Sequence, residues 1–125
     1  MVERSPLKIV SDRRGSLAEL FRGDWGQVNV VEVSPGALRG CHRHNKTNEA
    51  WAFLYGMGVL YMEGEHGTVE RIDVSRGDHI FLPAGTGHAI RNTGPELLVF
   101  VYYMDHMYNQ ENPDKEPWLV EELFT

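Results

Sequence analysis

The amino-acid sequence predicts an all-β domain, a sandwich or barrel of short antiparallel strands. Two observations carry that expectation. Glycine and proline punctuate the chain roughly every eight to twelve residues, and the stretches between them are rich in β-branched and aromatic side chains, the pattern of strands joined by tight turns. No long apolar repeat of helical period competes with it. A length of 125 residues is one domain's worth of chain, enough for one continuous core but not for two. No linker, low-complexity segment or full-length internal repeat interrupts it, so a single domain over residues 1–125 is expected.

In order along the chain, strands are expected at 7–10 and 17–21, then at 28–33, which ends at the turn signal Ser34-Pro35-Gly36. The next two, at 40–44 and 50–55, are separated by a polar turn over 45–48. The strand at 58–63 stops at the glycine-bounded turn 64–67, and the one at 68–74 stops at Arg76-Gly77-Asp78. A short strand at 79–82 runs into the turn 83–87, and His88–Asn92 forms the next, closed by Thr93-Gly94-Pro95. The apolar run 97–103 is the last. Glycine, proline, aspartate and asparagine at these junctions are the residues that turn geometry requires. After Tyr103 the chain turns polar, carries two prolines and closes on a short apolar piece, so 104–125 reads as an irregular crossing followed by a tail packed on the barrel or on a neighbouring subunit.

Eighteen acidic residues against twelve basic ones give a net charge of −6. With no run of like charge and no basic stripe, that balance argues against a nucleic-acid or anionic-membrane surface, and any anionic ligand must be held by local cations. The longest apolar run is far too short to span a bilayer, and the N-terminus, MVERSPLKIV, lacks the apolar segment of a signal peptide. A cytoplasmic address is expected. The lone Cys41 permits no internal disulfide, in keeping with a reducing compartment.

The segment 36–56, GALRGCHRHNKTNEAWAFLYG, holds the chemistry. Alternate side chains of a strand share a face, so His42 and His44 project together while Arg43 points away. Glu49 follows across the 45–48 turn, sharing its face with Trp51, Phe53 and Tyr55, and a hairpin would set its carboxylate opposite the imidazoles. On the strand His88–Asn92, His88, Ile90 and Asn92 share a face, and pairing beside the first histidine strand would bring a fourth ligand. Three neutral imidazoles and a carboxylate suit a divalent transition ion such as Mn, Fe, Co, Ni, Cu or Zn, with positions left open for water or substrate. An apolar barrel interior tolerates four such groups only if they satisfy one another or a ligand, so His42, His44, Glu49 and His88 are expected in one cavity. His66, His79 and His106 read as packed or surface residues.

Gly36, His42, His44, Glu49 and Gly56, followed by Gly77, Pro83, Gly85, His88 and Asn92, match at every specified position the two signature motifs of the cupin superfamily. The chain therefore resembles a cupin. The resemblance implies a single antiparallel β-barrel of jelly-roll type, usually a homodimer, with its site inside the barrel mouth. The flanks are similar to nucleotide-sugar 3,4-ketoisomerases and 3,5-epimerases (dTDP-4-dehydrorhamnose epimerase-like cupins) in three places: Ser11 to Leu17, Arg39-Gly40 before the histidines, and Tyr102 to Asp105. The stretch from His88 through Asn112-Pro113-Asp114 is also similar to cupin domains attached to nucleotide-sugar epimerases and reductases of capsule synthesis.

What this likeness implies for single residues is specific. Arg14 and Arg39 fall on positions that contact substrate or its diphosphate, which suits the guanidinium fork. Asn92, at the end of the second motif, joins them as a substrate-binding residue. His42 falls on the catalytic base, His44 on a second catalytic histidine, and Tyr102 on a tyrosine placed to donate or accept a proton. Keto–enol transfer needs such a base beside a carbonyl-polarising acid. The likeness implies an isomerase or epimerase of a nucleotide-linked 4-keto deoxysugar, working without a metal. Two alternatives stand beside it. One is a metal-dependent dioxygenase, lyase or isomerase using His42, His44, Glu49 and His88 as ligands, and the other is a small-molecule-binding cupin without turnover.

Overall fold

The computed structural model describes residues 2–6, 8–20, 26–107 and 109–124. Among the described residues, twelve strands follow one another: β1 (Glu3–Pro6), β2 (Lys8–Asp12), β3 (Gly15–Glu19), β4 (Gln27–Val33), β5 (Leu38–Arg43), β6 (Glu49–Tyr55), β7 (Met57–Glu63), β8 (Val69–Ser75), β9 (Asp78–Leu82), β10 (His88–Asn92), β11 (Leu98–Met104) and β12 (Glu116–Pro117). Two short 3-10 turns, Glu65–Gly67 and Glu121–Phe124, are the helical pieces among the described residues. No helix of the described residues is long and apolar enough to cross a membrane. Leu7 and Phe21, included in the first two expected strands, lie outside the described residues.

Two five-stranded sheets face each other, ordered β1-β9-β6-β11-β4 and β12-β5-β10-β7-β8, and β2-β3 forms a hairpin sheet of its own. Every pairing is antiparallel, the arrangement of a jelly-roll barrel of cupin type. The alternation of apolar residues fills the space between the sheets. Val33, Trp51, Phe53, Leu60, Met62, Val74, Ile80, Leu82, Ile90, Leu98 and Phe100 form one buried cluster drawn from both sheets. Trp51 and Phe100 stack at its centre, with ring centroids 4.6 Å apart.

Two sequence expectations change here, and a third, which offered two alternatives, is decided. β5 and β6 do not pair as a hairpin, because they belong to opposite sheets, so Glu49 faces the histidines across the barrel interior. Tyr55 does not share the inward face of Glu49, Trp51 and Phe53. The register against β11 slips between Val99 and Phe100, which pair with Tyr55 and Phe53, and the skipped residue turns Tyr55 out to 49 % exposure. The tail, left open between barrel and partner, lies on its own barrel: Glu116 and Pro117 pair with Arg43 and His42 of β5, while Trp118 and Leu123 are buried against Ala89 on the outer face. Trp118 comes so close to Gly87 that a Cβ there would sit 2.5 Å from the indole, so the glycine of the 83–87 turn is what admits the tail.

Candidate active site

The sequence brings the histidines together through strand pairing. His88, the first residue of β10, is the register partner of His42 on β5. His44 follows two residues later on the same face, and the three imidazoles offer nitrogens that all lie within 4.8 Å of one another. Their ring centroids are 4.8 Å apart for His42–His44 and for His42–His88, and 5.8 Å for His44–His88. Glu49, 2 % exposed, reaches them from β6, with one oxygen 2.8 Å from His44 Nε2 and the other 3.8 Å from His88 Nε2. Trp51 Nε1–H donates to that second oxygen at 2.6 Å.

These contacts settle how the groups ionise. His44 Nδ1 lies 2.6 Å from the Asp114 carbonyl oxygen, which accepts only, so the ring donates there. Its other nitrogen faces the Glu49 carboxylate, also an acceptor. Burial alone would lower the His44 pKa, but the hydrogen bond and charge of Glu49 and the Asp114 carbonyl raise it above the ordinary value. Burial likewise opposes ionisation of Glu49, yet the hydrogen bond from His44, the neighbouring imidazoles and the Trp51 indole hold its pKa low. His42 is held neutral: burial first, then the charges of His88 and His44, lower its pKa to about 3. Burial also lowers that of His88. His88 Nδ1 lies 3.1 Å from the Thr86 carbonyl, and its Nε2 is buried without a hydrogen-bond partner among the described residues. One ion pair and two neutral imidazoles thus cluster together, but not all in one cavity as expected: His44 stands behind Glu49 on a neighbouring cavity shared with Asp114, while His42, Glu49 and His88 line one cavity together.

That cavity is small, about 70 Å³, and is lined by Arg39, His42, Glu49, His88 and Tyr102 against an apolar backing that includes Trp51 and Phe100. Arg39 is present because β5 is irregular. Ala89 pairs with Gly40 while His88 pairs with His42, so Cys41 has no partner on β10 and forms a bulge. Gly40 and Cys41 both have left-handed backbone angles, φ 94° and φ 59°. Strict alternation from His42 would send Arg39 to the opposite face; the extra residue reverses the parity and puts Arg39 on the cavity wall, while Leu38 and Cys41 join the outer cluster around Trp118.

A family model described as the polysaccharide biosynthesis C-terminal domain matches residues 10–116. The chain belongs to this family. Among relatives of this polysaccharide biosynthesis domain, the spore coat polysaccharide biosynthesis protein SpsL of Bacillus subtilis is 32 % identical over 86 % of this chain and 82 % of its own length. A probable low-salt glycan biosynthesis epimerase of Haloferax volcanii is 28 % identical over 92 % of this chain and 84 % of its own. The capsular polysaccharide assembling protein CapF of Staphylococcus aureus has a solved structure with a TM-score of 0.72 at 29 % identity. The match covers 93 % of this chain but only 33 % of CapF. The fold is shared with ChmJ, a 3'-monoepimerase of Streptomyces bikiniensis solved with dTDP-quinovose, at a TM-score of 0.79, 24 % identity and coverage of 93 % and 68 %.

Within this polysaccharide biosynthesis domain, two of the residues expected to bind substrate stand apart from the cavity. Arg14 lies on the β2–β3 turn with its side chain 85 % exposed, and its guanidinium is tied to Asp12 at 2.7 Å. Asn92 is correctly expected on the face of His88 and Ile90, but it does not line the cavity. Its amide donates to the carbonyls of Val33 at 2.8 Å and Glu96 at 2.7 Å and accepts from Gly94 N–H at 2.9 Å, which makes it a latch for the turn at the far end of the strand. Three contributors escaped the sequence reading. Trp51 steadies Glu49, Asp114 accepts from His44, and Asn29 on β4 donates to the Tyr102 hydroxyl at 2.9 Å. Asn29 left a signal, a polar residue at an inward position of an apolar strand; Asp114, in an irregular segment, left none.

Proposed function

We propose that this domain is an isomerase or epimerase that moves a proton next to the keto group of a nucleotide-linked 4-keto deoxysugar. The observation that carries the reading is a cavity in which a neutral imidazole, a phenol and a guanidinium face one space. The epimerase names borne by the Haloferax and Streptomyces proteins point the same way. His42, unprotonated at neutral pH, takes the proton from the carbon adjacent to the carbonyl. A value near 3 describes the empty site; negative charge developing on a bound enolate raises the basicity of a neighbouring imidazole. The His44–Glu49 pair and Tyr102 handle protons at the developing oxyanion, and Arg39 holds the diphosphate as a charge-assisted fork in a protein of net charge −6. Incubating the protein in deuterated water with nucleotide-linked 4-keto sugars should place deuterium at the carbon flanking the carbonyl. Complete absence of exchange across dTDP- and UDP-linked substrates would remove the reading.

A second reading has one observation in its favour. His88 Nε2, its neighbour nitrogen committed to Thr86, faces a carboxylate oxygen at 3.8 Å with no hydrogen between two acceptors. Three imidazoles and a carboxylate are a donor set that fits a divalent transition ion, which His42, His44, His88 and Glu49 would hold. Such an ion supplies Lewis-acid polarisation of a substrate oxygen. Metal analysis of protein purified without added ion separates the two readings. The homodimer and the cytoplasmic address belong to the same proposal, and the free Cys41 is in keeping with the latter.

A further inference from the structure

Of the groups lining the cavity, Tyr102 carries a proton whose direction its neighbours decide. Tyr102 on β11 stands directly opposite Asn29 on β4 in the sheet register. Asn29 Nδ2–H donates to the phenol oxygen at 2.9 Å, and Gln27 Nε2–H, two residues along the same strand, donates to Asn29 Oδ1 at 3.1 Å. The two bonds agree with each other: the Asn29 amide accepts from Gln27 through its oxygen and presents its nitrogen to Tyr102. The phenol oxygen therefore accepts from the sheet side, and its own hydrogen is free to point into the cavity.

We infer that Asn29 is a positioning residue that aims the Tyr102 proton at substrate and stabilises the phenolate left behind, with Gln27 holding its amide in the donating orientation. The inference rests on the isomerase reading for its function but on geometry for its existence. In the step, the O–H bond of Tyr102 breaks, the proton passes to the enolate formed when His42 took the substrate proton, and the phenolate keeps the electron pair. Solvent then carries a proton from the His42 imidazolium back to the phenolate. Two charges face the phenol from the other strands of the cavity. Arg39 on β5 favours the phenolate, Glu49 on β6 opposes it, and burial opposes it most, so that the Tyr102 pKa is raised overall while Asn29 works against the rise. An amide is suited to this place because it donates without adding a charge that would compete with Arg39 for the diphosphate.

The test is Asn29→Leu, which removes the donor, and Asn29→Asp, which keeps the shape but turns the donor into an acceptor. Tyr102 ionisation is read in the near-ultraviolet tyrosinate band as the difference from Tyr102→Phe, which isolates it from the other tyrosines. The expected result is a titration moved to higher pH in Asn29→Leu and further in Asn29→Asp. The turnover number should fall roughly ten- to a hundredfold, what one hydrogen bond to an ionised group is worth, with KM little changed. Gln27→Leu, one amide further from the cavity, should give a smaller shift in the same direction and covers the case in which an Asn29 variant fails to fold. A Tyr102 titration unmoved in these variants overturns the inference whatever turnover does. A titration shifted in the variants, together with a wild-type protein that gives no exchange on 4-keto sugars, overturns the isomerase reading and leaves the link between Asn29 and Tyr102 standing.

Discussion

At the scale of single residues, the site pairs groups whose environments drive them apart, a neutral His42 beside a charged His44–Glu49 pair. Asparagine at position 42 keeps size and polarity on a cavity-lining strand, so His42→Asn should fold as the wild type does while losing roughly a hundred- to ten-thousandfold in rate, the worth of a general base. Substrate affinity, read by calorimetry, should survive. Arg39→Ala should do the reverse, raising the dissociation constant of a nucleoside-diphosphate sugar roughly tenfold or more. Full activity in His42→Asn would refute the assigned base. Asp114 yields a pH-dependent expectation. Its carboxylate accepts from the backbone N–H groups of Asn45, Lys46 and Thr47 and from the Thr47 hydroxyl, at 2.8 to 3.0 Å. Slight burial opposes ionisation, but these four donors lower its pKa below the usual carboxylate value. A carboxyl lower in the folded state than in the unfolded chain adds stability above the unfolded value and loses it as pH falls through the folded one. The melting-temperature gap between wild type and Asp114→Asn should therefore be full near neutrality and narrow below about pH 4.

At the scale of elements, the decisive feature is the bulge in β5. A Cβ on Gly40 would lie 3.2 Å from the His88 carbonyl oxygen and 3.3 Å from Ala89 Cα, at a φ of 94°. Gly40→Ala should cost about 1–3 kcal/mol in urea unfolding, the scale of a strained left-handed residue. Cys41→Gly, at φ 59°, should be close to neutral because glycine adopts that angle freely. Equal losses in the two variants would show that the bulge is not what the backbone angles make it. The same bulge marks the limit of what was legible beforehand. The parity of His42 with His44, and of Glu49 with Trp51 and Phe53, follows from period-two alternation, and strand existence followed from turn residues at nearly every boundary. Arg39 entered the expected site only through its likeness to a family, since alternation alone assigns it to the wrong face. Glu49 was expected across a hairpin, because a short polar turn between two strands does not reveal that they belong to different sheets. β1 and β12 were missed as well; ERSP and EP carry no β pattern, and their pairing is imposed by β9 and β5.

At the scale of the whole molecule, the single chain leaves one sheet edge and one arginine unexplained. β4 ends its sheet, and its alternate residues Val28 and Val30 are 44 % and 68 % exposed beside Glu32, an apolar edge of the kind proteins cover. Arg14, which family likeness places on substrate, stands exposed on a hairpin that forms a sheet of its own. The expected dimer answers both if the outer face of β4 lies in the interface and the β2–β3 hairpin extends toward the partner's cavity. The apolar tail no longer argues for it, since Trp118 is buried on its own barrel. Light scattering should then give twice the 14.3 kDa chain mass, and Val30→Glu should return the monomer by burying an unpaired charge at the contact. Arg14→Ala should leave the dimer mass unchanged while weakening nucleoside-diphosphate binding, and Val30→Glu should weaken it too, through loss of the partner's arginine. A Val30→Glu protein of unaltered dimer mass would rule out β4 as the interface, and an Arg14→Ala dimer with wild-type affinity would return Arg14 to the solvent, tied to Asp12.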